Sequence, residues 1–105
     1  MAISVNREGN PDGSIDLTIS IATTKFFNEF WEKAMKDTNA KIFKENSQFG
    51  KSQMNDVLHE LELIKEWTEL NLTGTNLAYM KERTENLIKD IPKAFDKDET
   101  ILYIY

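Results

Sequence analysis

Ser52–Leu70, SQMNDVLHELELIKEWTEL, is the longest stretch with helical periodicity and no Gly or Pro, and its reading decides the fold. At 100° per residue, Met54, Val57, Leu58, Leu61 and Ile64 fall on one face, the usual stripe by which a helix joins a core. A second set, Leu63, Trp67 and Leu70, follows i, i+4, i+7 spacing on nearly the opposite side. The helix therefore starts amphipathic and becomes apolar on two faces. Such a helix is either sandwiched between two layers of its own domain or presents one stripe to a partner. Both readings stay open at this stage, and Leu63, Trp67 and Leu70 are the candidate partner face.

Upstream, AISVNR (residues 2–7) places Ile3 and Val5 on one side and Ser4 and Asn6 on the other, as a half-buried strand does. Gly9-Asn10-Pro11-Asp12-Gly13 has Pro and Gly where a type I turn with a left-handed Gly requires them. Ile15, Leu17, Ile19 and Ile21 then alternate with Asp16, Thr18, Ser20 and Ala22, so the first 22 residues read as an antiparallel hairpin. The Gly-containing loop is flanked by Glu8 and Asp12, the wrong charge for a phosphate cradle.

Thr23 or Thr24 suits the N-cap of the next helix. In it, Phe26, Phe27, Phe30, Trp31, Ala34 and Met35 cover about half the circumference. That width fits a helix laid across a sheet with a second helix beside it. The sharper alternative makes Phe26, Phe30 and Trp31 the wall of a pocket for a small apolar ligand. Residues 40–51, AKIFKENSQFGK, carry no clear periodicity; Ile42 and Phe43 are candidates to anchor them in a short strand or a helical turn, with a mobile loop as the other reading. A third helix carries Leu77, Met80, Thr84, Leu87, Ile88 and Ile91 on a narrow stripe and is expected to end or bend at Pro92. Lys93–Glu99 is a charged connector. Ile101–Tyr105, apolar on both pleat faces, reads as an inner strand pairing with the hairpin.

The expected fold is α+β and a single domain over residues 1–105, in the order β-β-α-α-α-β. A three-stranded sheet is covered by three helices. At 40% hydrophobic and 30% charged residues, the composition is that of a globular chain with an aromatic-rich interior. No Cys is present, which excludes disulfides, thiolate nucleophiles and Cys-ligated metal and fits a reducing, cytoplasmic setting. No secretory signal is expected at the N-terminus, and no apolar run approaches the ~20 residues of a membrane span.

His59 is the single histidine, and Leu63 stands where an H-E-x-x-H zinc motif needs its second ligand. Asp56, His59 and Glu60 are therefore expected on a solvated helix edge. No nucleophile elbow, metal set or cofactor motif is present, so no enzyme activity and no cofactor are expected. A net charge of −5 disfavours nucleic-acid binding and favours a basic protein partner. The leading expectation is a small acidic protein-binding module that neutralises or inhibits a basic protein, as an immunity protein does; that analogy is one of charge and size alone. A homodimer or structural subunit using the Leu63, Trp67, Leu70 stripe is the alternative.

Overall fold

A computed structural model describes residues 1–105. Two strands open the chain, β1 (Ala2–Arg7) and β2 (Leu17–Thr23), joined by the expected turn. Its Gly13 N–H donates to the Asn10 carbonyl at 2.9 Å, and Gly13 sits in the left-handed region at φ 83°. A helix over 24–37, α1, follows, capped by the Thr23 hydroxyl, which accepts from the Phe26 N–H. Its middle, Phe27–Trp31, is a π-helical turn. Widening the turn brings residues four apart nearly into line, so Phe27 and Trp31 stack at 6.2 Å with planes 6° apart, both fully buried.

The chain then departs from the expected order. Gln48–Gly50 forms a short strand, β3, so the sheet has four strands and the order is β-β-α-β-α-α-β. After a 3-10 turn at Lys51–Gln53 come α2 (Met54–Asn71) and α3 (Gly74–Ala94), and then β4 (Ile101–Ile104). The sheet order is β2-β1-β4-β3, antiparallel throughout. β4 is the inner strand, as its two-faced apolarity requires, with Val5 opposite Ile104 on one side and Phe49 opposite Leu102 on the other. The fold class is α+β, with the helices on one face of the sheet. Val5, Ile19, Ile21, Phe49, Leu102 and Ile104 meet Val57, Leu61, Ile64, Met80, Leu87 and Ile91 in one core.

Pro92 does not stop α3. It is exposed in the last turn, where its missing N–H forfeits one bond, and the helix continues to Ala94 because Ala94 and Phe95 are both buried. Arg7 fastens that end. Its Nη1 donates to the Ala94 carbonyl at 2.9 Å and lies 3.4 Å from Asp96, while Nε and Nη2 grip the Asp16 carboxylate at 2.9 and 3.1 Å. One guanidinium thus joins the hairpin, the end of α3 and the approach to β4. A Cβ on Gly9 would collide with the Asp16 carboxylate, so a side chain there would displace that carboxylate from the grip of Arg7.

The Arg7 hydrogen bond holds the Asp16 carboxyl below its ordinary value of 3.8. A depressed carboxylate pKa contributes stability above the unfolded value and loses it as pH falls through the folded one. Urea unfolding midpoints of wild type and Asp16→Asn should therefore differ at neutral pH and converge in acid below the ordinary carboxylate range. A gap that stays constant with pH would show that the Arg7–Asp16 charge pair is not its source.

Candidate functional site

The predicted partner stripe is divided by the structure. Leu63 is half-buried. Trp67 is only 6% exposed and packs in the core, with its indole N–H donating to Asp37 Oδ2 at 2.9 Å. Leu70 is 85% exposed. The cause lies in the helical projection: Trp67 sits about 60° from Leu70, on the flank that closes over the last turn of α1. An apolar face of three residues thus reduces to one exposed leucine, and Trp67 belongs to the core.

The proposed apolar pocket wall is also taken up by packing. Trp31 is fully buried against Phe43, with ring centroids 6.0 Å apart. Phe26 and Phe30 are half-buried, 4.8 Å apart, and Phe26 meets the Tyr79 ring edge-on at 4.6 Å. None of these three residues lines the main surface cavities. The Trp31 indole N–H is buried without a partner, at a cost of about 1–3 kcal/mol to the native state.

Of Asp56, His59 and Glu60, two lie on the solvated edge and one does not. Asp56 and His59 are exposed. Glu60 turns toward the segment between α1 and β3, where its carboxylate accepts from three successive backbone N–H groups, Lys41 at 3.0 Å, Ile42 at 3.2 Å and Phe43 at 2.8 Å. Asn39 and Asn46, in the left-handed region at φ 60° and 66°, turn the chain on either side. Ser47 Oγ lies 2.7 Å from the carbonyls of Ile42 and Lys44. A segment without periodicity is thereby held by one side chain reaching from α2. No three His, Asp or Glu side chains come together as a metal site would need.

Two surface features remain. The first is the outer face of α2, where Asn55, His59, Glu62, Glu66, Glu69 and Leu70 recur at helical spacing and are all exposed. Glu69 lies 3.9 Å from Lys81, and Lys65 pairs with Glu85 at 3.4 Å, linking α2 to α3. Glu62 and Glu66 take part in no ion pair.

The second is a groove of about 550 Å³ along the edge of β2, bordered by Thr18 and Ser20 of the strand and by Arg83, Asn86, Asp90 and Lys93 of α3. Those four helix positions repeat at i, i+3, i+7, i+10. That polar stripe was legible beside the apolar one, but only the edge position of β2 makes it a groove wall. No protein-family model, curated protein or solved structure matches this chain, so the site rests on its own geometry. No helix is long and apolar enough to cross a membrane.

Two substitution sets test these placements. Trp67→Glu should leave the chain unfolded by circular dichroism, since it buries an unpaired charge, whereas Leu70→Ser should stay within about 0.5 kcal/mol of wild type. A folded Trp67→Glu protein would return Trp67 to the surface. Glu60→Ala should cost about 2 kcal/mol in chemical denaturation and speed amide exchange at Lys41, Ile42 and Phe43, with Glu60→Gln recovering part of the loss. Unchanged exchange at those three amides would show that the carboxylate does not hold them.

Proposed function

We propose that this chain is a protein-binding module that engages a basic protein partner through the outer face of α2. The observation that carries the reading is the row of Glu62 and Glu66, exposed on successive turns and unpaired, with Glu69 and the exposed Leu70 at its end. Carboxylates that spend no charge on internal cations remain free to steer and orient a cationic surface, and an exposed leucine beside them supplies a small apolar anchor. The net charge of −5 adds a long-range attraction of the same sign. Inhibition of the partner by covering a basic site, in the manner of an immunity protein, is the concrete form of this reading. The absence of Cys supports a cytoplasmic setting.

Affinity capture from lysate of the source organism, at low and at moderate salt, tests the assignment with wild type and the Glu62→Lys, Glu66→Lys double variant. A basic protein held by wild type at low salt should be weakened by added salt and lost with the double variant. Both positions are exposed, so the variant should keep its stability within about 1 kcal/mol. Equal recovery of the same partner by both forms would move the binding surface away from α2.

A further inference from the structure

We infer that the groove between β2 and α3 takes an extended, acidic peptide segment, which adds to the free edge of β2 as a fifth strand. Ser4 and Tyr105 exchange both backbone hydrogen bonds, at 2.9 and 3.0 Å. In an antiparallel ladder such pairs alternate, so Val5 and Arg7 turn their peptide groups toward β2, opposite Ile19 and Leu17. The N–H and C=O groups of Thr18 and Ser20 consequently point away from β1, onto the open edge. Thr18 and Ser20 line the groove.

Edge strands are ordinarily blunted by shortness, by Pro or by charge. The opposite edge, β3, has three residues. β2 has seven, LTISIAT, with neither Pro nor a charged residue. The one irregularity of β2, an extra residue at Ile21 where the register passes from Ile3–Ala22 to Ser4–Ser20, lies past Thr18 and Ser20 and limits added pairing to the Leu17–Ser20 half of the strand.

The helix supplies the second wall and the selectivity. Arg7, opposite Leu17, bonds to the Ala94 carbonyl, and at the other end Phe26, three residues beyond Thr23, packs on Tyr79. α3 therefore runs antiparallel to β2 along its whole length. Arg83 and Lys93 face the groove and neither is in an ion pair; the Arg83 guanidinium lies 5.2 Å from the Tyr79 ring centre. Arg7 also borders the groove but is committed to Asp16 and Asp96. Asp90 is the single anion of the lining. Ten helical residues separate the two free cations, about 15 Å, close to the ~13 Å between residues i and i+4 of a strand. The fitting peptide carries carboxylates at i and i+4 toward the helix, with a hydrogen-bond donor at i+2 for Asn86 and Asp90. Side chains facing the helix recur every second residue, so all three requirements fall on one face.

The end-capped peptide Thr-Glu-Val-Ser-Val-Glu-Thr meets this pattern, and its titration into ¹⁵N-labelled protein is the test. Shifts should centre on Thr18, Ser20, Arg83, Asn86, Asp90 and Lys93. Three changes should each weaken binding by about tenfold or more. They are replacing both peptide Glu by Lys, N-methylating alternate peptide amides, and the protein substitution Ser20→Pro. The last removes an outward N–H and leaves the bonds of Leu17 and Ile19 to β1 in place. A Lys peptide that binds as well would overturn the charge assignment, and tolerance of N-methylation would overturn strand addition. The proposal also fails if shifts centre elsewhere, if none occur at millimolar peptide, or if the same residues shift with protein concentration alone, which would put a second copy on the edge. Because α2 contributes nothing to the groove, the Glu62→Lys, Glu66→Lys protein should bind the peptide as wild type does, so the two sites fail or succeed separately.

Discussion

The sheet depends on the insertion of its last strand. β4 reaches Val5 through Ile104 on one side and Phe49 through Leu102 on the other, so a four-residue strand is the sole bridge between the hairpin and β3. The segment before β3 leans on it as well, since the Asn46 N–H donates to the Ile104 carbonyl and the Ile104 N–H to the Ser47 carbonyl. These are contacts between distant parts of the chain, whose loop-closure entropy is spent before they stabilise anything. In the native state Arg7 offsets part of that cost by holding the hairpin, the Ala94 carbonyl and Asp96 in one guanidinium fork. It thus fixes where the connector to β4 begins.

What was legible in the sequence follows from how far each determinant extends along the chain. β1 and β2 carry a period of two over several residues, and α2 and α3 a period near 3.6 over many, so local pattern sufficed for both. The inner position of β4 was legible from apolar residues on both pleat faces. β3 was not, because three residues (Gln48, Phe49, Gly50) cannot display a period and their strand geometry comes from pairing with β4. Glu60 looked like any solvated glutamate; its role is set by three amides some 17–19 residues upstream. That the helix runs two residues past Pro92 is non-local in the same way, since the burial of Ala94 and Phe95 and the bond from Arg7 outweigh one missing donor.

The candidate surfaces show the same division. Spacing alone groups Trp67 with Leu70, and spacing cannot tell which flank of α2 will meet α1. The last turn of α1 brings Asp37 to the Trp67 indole, and that contact assigns Trp67 to the core while Leu70 remains outside. The aromatic face of α1 is broad, and the π-helical turn aligns Phe27 with Trp31 and fills the interior with both. Phe26, Phe30 and Trp31 are taken up by packing against one another, Phe43 and Tyr79, and none of them lines the main surface cavities.

Net charge describes this molecule poorly at the scale of a binding site. The flank of α3 that faces α2 spends Glu85 on Lys65 and Lys81 on Glu69. Neutralising one another there, these four residues insulate two unlike surfaces. Beyond them on α2 stand Glu62 and Glu66. On the far flank of α3, about 80–180° around the helix from Lys81 and Glu85, stand Arg83, Asp90 and Lys93. Ionic screening over about 8 Å at physiological salt keeps the acidic face from cancelling the cations that border the β2 edge. An acidic chain therefore carries a locally cationic groove, placed where its longest strand has main-chain groups free.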